Sequence, residues 1–290
     1  MIPGPFVYHR PGSLSEATRL LATLGEEARP LAGGHSLIPM MKLRMAAPEH
    51  LVDLGGIADL KAIREEGGDV VIGATVTQAE VIRSELLAAR LPILRETALQ
   101  IADPQIRTRG TVGGNVANGD PGNDLPALMQ ALEASYVLAG ADGERSVAAR
   151  DFYQGSYFTA LEAGEILSAV RIPVPPAGHG HAYEKLKRKV GDYATAAAAV
   201  ILTLDGGMVA TCAVALTNVA ATPLFAEEAG RLMVGTSGDP ASVKRAAEAA
   251  KAIADPATDG RGTAEYRREM AGVMTARALT KALARARSGA

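Results

Sequence analysis

Leu31-Ala32-Gly33-Gly34-His35-Ser36-Leu37 and Thr111-Val112-Gly113-Gly114-Asn115 are the two stretches that decide how this chain is read. Each sets a glycine pair among small or hydroxylated residues, after a segment that reads as a strand. Backbone without a Cβ turns sharply and lets its N–H groups come close to an anion. One such turn is a common loop. Two in one chain predict a pair of loops meeting around a diphosphate. Neither G-x-x-x-x-G-K-[ST] nor G-x-G-x-x-G occurs, so a Walker-type site and an ordinary Rossmann fingerprint are both excluded. What remains is phosphate binding by backbone N–H groups, the Ser36 and Thr111 hydroxyls and the Asn115 amide, with no lysine required.

Around the first turn the sequence predicts a small α/β unit over residues 1–55. Ser13-Leu14-Ser15-Glu16 reads as a capping box, Leu14, Ala17, Leu21 and Leu24 recur at helical spacing, and Gly25 stops the helix. Ala28–Leu31 reads as a strand entering the turn, followed by a short helix over 37–43 and a strand over 51–54. Strand, glycine turn, helix suits phosphate, because the helix start adds free N–H groups and the positive end of a dipole.

Around the second turn, residues 56–176 read as another α/β unit. Val70-Val71-Ile72 is a predicted strand, Thr77-Gln78-Ala79-Glu80 a capping box opening a helix through Leu87, and Pro92 the first residue of a helix to Ile101. A helix is expected near Asp124–Leu132, then strands at 136–138, around Val147 and at 166–172, with a turn at Ala141-Asp142-Gly143-Glu144. Pro173-Val174-Pro175-Pro176-Ala177-Gly178 is the clearest linker. Beyond it, over 177–290, Asp205-Gly206-Gly207 between two apolar runs predicts a β-hairpin rather than an alanine-rich helix, and the alanine-rich remainder reads as helical.

Composition narrows the function classes. The chain has 290 residues, 48% of them hydrophobic and 21% charged, with a formal charge of −2. No basic excess points to nucleic acid. The longest apolar run, 194–204, is too short for a membrane helix, and the first residues show no signal-peptide pattern, so a cytoplasmic protein is expected. The single cysteine, Cys212, excludes an internal disulfide, a cysteine-based zinc site and an iron–sulfur cluster held by this chain. It reads as a small core residue of a strand. The five histidines form no HExxH arrangement; His179 and His181, two apart in a glycine-rich turn, are the only pair worth noting, and no metal is expected. Any redox centre is therefore a bound organic cofactor.

The two glycine turns, with Gly119-Asp120-Pro121-Gly122-Asn123-Asp124, resemble the flavoprotein subunits of the molybdenum hydroxylases. Ile101-Ala102-Asp103-Pro104-Gln105, Tyr183-Glu184-Lys185-Leu186-Lys187-Arg188-Lys189, Gly191-Asp192-Tyr193-Ala194-Thr195-Ala196, Leu216-Thr217-Asn218-Val219-Ala220 and Met270-Ala271-Gly272-Val273-Met274 resemble the medium subunits of the aerobic carbon monoxide dehydrogenases within that family. The resemblance covers essentially the whole chain. It implies an α+β fold: an FAD-binding domain of the vanillyl-alcohol-oxidase/PCMH type made of two α/β subdomains, plus a C-terminal α+β domain with an antiparallel sheet and helices.

The resemblance also implies roles. It places the FAD diphosphate against Ala32, Gly33, Gly34, His35 and Ser36 and against Thr111, Val112, Gly113, Gly114 and Asn115. Asp124 matches an acidic residue that meets the flavin nucleotide; a helix N-cap is the other reading. Leu167 and Ile101 match positions beside the cofactor, or are core residues. Lys185 matches a cofactor-side lysine, or belongs to a solvated basic run. Tyr193 matches an aromatic residue covering one face of the isoalloxazine, or is a core tyrosine. Arg107 and Arg109 face phosphate or a partner, or solvent. The implied partners are a small subunit with 2Fe-2S clusters, a molybdenum large subunit and a quinone or other membrane acceptor, with the complex associated with the inner face of the cytoplasmic membrane. Relatives of this shape also serve hydroxylases of nicotine, purines or aromatic acids. A stand-alone FAD oxidoreductase and a nucleotide-free assembly module are the further alternatives.

Overall fold

The computed structural model describes residues 2–289. Three larger sheets carry it, beside a two-stranded ribbon of Tyr153–Gly155 and Phe158–Thr159. The first is a three-stranded parallel sheet of Val7–His9, His50–Asp53 and Ala28–Leu31, with His50–Asp53 in the centre. The helix Leu14–Leu24 covers it and stops at Gly25, whose φ is +59°. The Ser13 hydroxyl accepts from the Glu16 N–H, but the Glu16 carboxylate turns to the Gly12 N–H, so the expected capping box closes one residue early.

The second sheet is antiparallel, in the order Ile63–Glu66, Asp69–Gly73, Ile166–Pro173, Ser135–Gly140, Gly143–Ala148. Helices pack on it around a core of Val70, Ile72, Leu94, Leu128, Met129, Tyr136 and Phe152. Two predicted helices differ in extent. The one after Thr77 ends at Arg83, because Ser84 takes extended backbone and its hydroxyl caps a new helix, Glu85–Arg90. The helix from Pro92 ends at Ala98, three residues early, and the turn beyond it carries Ala102 at φ +44°.

The third sheet is antiparallel, in the order Gly180–Leu186, Ala196–Asp205, Met208–Thr217, Leu224–Phe225. The predicted hairpin is present, with Gly206 and Gly207 at φ +54° and +84° making its turn. The alanine run is a strand because both of its faces are buried, which removes the polar alternation of a one-sided strand. Ala197, Ala199 and Ile201 join the core beneath the second sheet. Ala196, Ala198, Val200 and Leu202 face the helices Pro240–Ala252 and Ala264–Ser288. The neighbouring strand Gly180–Leu186 is not evident from sequence: its second half, Glu184-Lys185-Leu186, reads as a charged surface segment. Cys212 lies half-buried on Met208–Thr217, where burial pushes its thiol up to about 12.

Candidate functional site

The two glycine turns touch. A Cβ built on Gly33 would lie 2.3 Å from the Arg109 carbonyl oxygen and 2.9 Å from Gly110 Cα, so only glycine lets the first turn seat against the second. Gly34 takes φ +77°, which glycine adopts without strain. The chain then enters the helix Leu37–Lys42, whose N-cap, Ser36, makes no capping bond with its hydroxyl. Among the described residues, no hydrogen bond occupies the N–H groups of Gly33, Gly34, His35 or Ser36. These donors are free.

The second turn is built differently. It follows the short helix Pro104–Arg107 rather than the expected strand, and Thr111 then forms an isolated bridge with Thr77. Its N–H groups are already bound: Val112 to the Val76 carbonyl, Gly113 to that of Ala74, Gly114 to the Thr111 hydroxyl and Asn115 to the Thr111 carbonyl. The backbone N–H groups of the second turn are therefore engaged within the fold. The first turn offers free donors, and the second is a pinned wall presenting the Thr111 hydroxyl and the Asn115 side chain. Gly113 is buried, and a Cβ there would strike Ala74 at 2.4 Å. Gly114 is exposed, and a Cβ there would fall 2.8 Å from Thr111 Oγ1 and 3.8 Å from Ala32 Cβ, in the space between the turns. That space, walled by both turns and lined by free donors, fits a diphosphate.

Asn115 ties the second turn to the Gly119–Asp124 segment. Its carbonyl accepts from Asn123 Nδ2 at 2.7 Å and its side-chain oxygen from the Leu125 N–H at 3.4 Å. Asn123, not Asp124, is the N-cap of the helix Asp124–Ala131. Asp124 is the first helical residue and is buried, with Oδ1 accepting from the Tyr183 hydroxyl at 2.5 Å and Oδ2 paired with Lys185 Nζ at 2.8 Å. Burial pushes its carboxyl up, against the pull of the Lys185 ammonium and the Tyr183 hydroxyl. The side chain of Lys185 is 1% exposed, so it does not belong to a solvated run. Lys185 and Lys187 both donate to the Gln100 carbonyl, next to Ile101.

A third group lies at the mouth. Asp120 faces the hydroxyls of both Tyr157 and Tyr193, and Tyr193 packs where a Cβ on Gly122 would meet its ring at 2.8 Å. Tyr193 is 42% exposed, with Arg261 over its ring at 5.6 Å, so the core reading is excluded. Burial of its hydroxyl end, then the Asp120 carboxylate, push its pKa up. Gly191 approaches Ala102, closing a ring formed by segments 101–102, 119–124, 185–187 and 191–193.

The remaining expected residues divide clearly. Ile101 is buried in the core, and its carbonyl is held by Arg107 at 2.8 Å. Arg107 thus caps the end of the Pro92–Ala98 helix rather than facing phosphate. Leu167 is a buried residue of the central strand, at the start of a bulge that lets Ser168 accept from the Ala74 N–H. It lies in the floor beneath the second turn, in one core with Val112 and Val116. His35 is exposed beside the free donors. Sequence reasoning gave no role to Tyr183, Asp120 or Tyr157. Tyr183 shares a face of the strand Gly180–Leu186 with Lys185, but that strand is itself hidden in the sequence, so no local signal marked it.

The fold is α+β, and its two glycine turns meet across a space lined by free N–H donors. A model of the family "FAD binding domain in molybdopterin dehydrogenase" matches residues 4–175, and one of the "CO dehydrogenase flavoprotein C-terminal domain" matches residues 181–282. The chain belongs to the FAD-binding family of molybdopterin dehydrogenases. It is 66% identical to the carbon monoxide dehydrogenase medium chain of Afipia carboxidovorans, over 99% of this chain and 100% of that one. It superposes on a solved Cu,Mo-CO dehydrogenase, in its cyanide-inactivated form, with a TM-score of 0.97 at 66% identity, covering 98% of this chain and 100% of that one. For quinoline 2-oxidoreductase of Pseudomonas putida 86 the values are 0.93 and 36%, covering 98% of this chain and 99% of that one.

Proposed function

We propose that this chain is the FAD-carrying subunit of a carbon-monoxide-oxidising Cu,Mo dehydrogenase. In this reading a small subunit delivers electrons from 2Fe-2S clusters to its flavin, and the flavin passes them to a quinone or another membrane acceptor. Among the described residues no helix is long and apolar enough to cross a membrane. The observation carrying the assignment is 66% identity over almost the full length of both chains, against 36% for a relative named for quinoline.

Bound FAD supplies a ring that takes up one or two electrons; the protein supplies binding, orientation and electrostatics. The free N–H groups of Gly33–Ser36 and the Thr111 hydroxyl would hold the diphosphate, which needs no lysine. Asp124, fixed by Lys185 and Tyr183, would orient the nucleotide from beneath. Tyr193, positioned by Asp120, would cover the open side and exclude water. The clusters must lie on a partner, since this chain has one cysteine.

Purification of the native complex tests the assignment. Molybdenum, copper, iron and FAD together, with CO-dependent reduction of a quinone analogue, are expected. Turnover of nicotine, a purine or an aromatic acid in place of CO would move the chain to another branch of the family. Turnover by the chain alone would make it a stand-alone oxidoreductase.

A further inference from the structure

Arg267 lies in the first turn of the helix Ala264–Ser288, and its side chain is only 4% exposed. A cation at that end opposes the helix dipole, and burial lowers its pKa against the pull of Asp259, so neither position nor burial favours the charge. A buried guanidinium is rare unless its donors are used. Here they go to main-chain carbonyls of three separate segments. Nε donates to Thr195 at 3.2 Å, Nη1 to Ala257 at 2.7 Å and Nη2 to Asn218. Nη1 also lies 3.2 Å from an Asp259 carboxylate oxygen.

All three segments bear on Tyr193. Thr195 stands two residues beyond it, and its N–H closes the intervening loop on the Leu186 carbonyl at 2.7 Å. Asn218, at φ +59°, donates from Nδ2 to the Ala194 carbonyl at 2.5 Å. Asp259 holds Arg261 at 2.9 Å, and Arg261 is the cation over the Tyr193 ring. Arg188 ties the same two loops together, donating to the Gly260 carbonyl at 2.8 Å and pairing with Asp192 at 2.7 Å. One side chain therefore fixes both the backbone next to the tyrosine and the cation over its ring.

We propose that Arg267 is a positioning residue for electron transfer at the flavin: by joining these segments it sets how closely Tyr193 lies over the cofactor ring. The inference rests on the reading of Tyr193 as the cover of the isoalloxazine. Tyr193 is too exposed to be wedged in place by packing, so its position depends on Asp120 at the hydroxyl and on the backbone that carries it. The planar fork of an arginine suits three carbonyls at fixed places, whereas a lysine keeps the charge on a single nitrogen that cannot reach all three. Anchoring the helix alone would require no such fork.

The FAD-loaded complex carrying Arg267→Lys tests this, with Tyr193→Ala as the reference. Picosecond decay of the flavin fluorescence reports the overlying tyrosine, because a phenol stacked on the ring quenches it by electron transfer, and a mere helix anchor would leave that decay alone. Tyr193→Ala should abolish the fast component. Weakening one aromatic stacking contact shifts a stacked-to-open ratio about two- to tenfold, so Arg267→Lys should cut the ratio of fast to slow amplitude by that factor. Adding Arg267→Lys to Tyr193→Ala should change nothing further. An unchanged ratio in Arg267→Lys, beside a lost fast component in Tyr193→Ala, would overturn the positioning role and leave the cover standing. A fast component that survives Tyr193→Ala would sink the cover reading and this inference with it. Where Arg267→Lys gives no cooperative melt, Asp259→Asn decides: it frees Arg261 and keeps the carbonyl bonds of Arg267, so a smaller fall in the ratio is expected and none refutes the link.

Discussion

Replacing Lys185 with methionine removes one partner of a buried ion pair and keeps most of the side-chain volume. In the wild type the two side chains are 1% and 5% exposed and 2.8 Å apart. At an effective dielectric constant of about 20, charges at that separation attract by about 6 kcal/mol, before the cost of removing both from water. Breaking such a pair from one side typically costs about 3–5 kcal/mol, because it leaves an uncompensated charge. Lys187 still reaches the Gln100 carbonyl, so the lower end, about 3 kcal/mol, is expected.

The loss must depend on pH in a definite direction. Asp124 is already pushed up by burial, and without Lys185 it rises further. Above the ordinary carboxylate value, the folded variant then holds a proton that the unfolded chain does not. Stability of the variant relative to wild type therefore improves as pH falls through that raised value and worsens as pH rises. Urea unfolding of apo wild type and Lys185→Met at pH 8 and pH 5 measures this. Adding Asp124→Asn should recover most of the loss, since a neutral pair leaves no buried charge. A penalty below 0.5 kcal/mol at pH 8, or one unchanged at pH 5, would refute the reasoning (a surface pair is worth about that much).

Four further outcomes follow from the geometry. Gly33→Ala drives a methyl into the Arg109 carbonyl, so the turns should separate, with FAD lost and unfolding eased by about 1–3 kcal/mol; FAD content and melting read both. Gly114→Val sets a Cβ 2.8 Å from Thr111 Oγ1, so the Thr111 cap must shift while the rest of the side chain enters the space between the turns; FAD content should fall, and stoichiometric FAD would show that the diphosphate lies elsewhere. Tyr193→Phe removes the hydroxyl facing Asp120, so FAD should stay bound while its reoxidation by oxygen speeds up; unchanged stopped-flow traces would leave the tyrosine no covering role. Glu96 is destabilised by burial, but bonds from Lys281 and Arg285 more than offset this and hold its carboxyl below the usual range. That stability is present above the ordinary value and lost as pH falls through the lowered one, so Glu96→Gln should flatten the acid limb of a stability profile.

The convergence of the two turns was legible because glycine pairs mark positions where backbone must approach backbone, and Gly33 meets Arg109 for that reason. The unequal roles of the turns were not, since the partners of Val112 and Gly113 lie on Val76 and Ala74, and a sequence does not show which carbonyls come near. The β-hairpin was readable from Asp205-Gly206-Gly207, a local signal. The strand Gly180–Leu186 was hidden because Lys185 finds its counter-charge on Asp124, far away in sequence, and without that partner a lysine belongs at the surface. Helix ends at Arg83 and Ala98 were missed because a hydroxyl cap at Ser84 and the Arg107 contacts to the Leu99, Ile101 and Ala102 carbonyls outweigh a continuing apolar pattern.

Hydrogen exchange at single-residue resolution, on the chain with and without FAD, bears most directly on the cleft. The N–H groups of Gly33, Gly34, His35 and Ser36 have no internal acceptor, so they should exchange fast in the apo chain and slow sharply when FAD binds. Those of Val112–Asn115, already bonded, should change little. Fast exchange at 33–36 in the FAD-loaded chain would mean that the diphosphate is held somewhere other than the first turn.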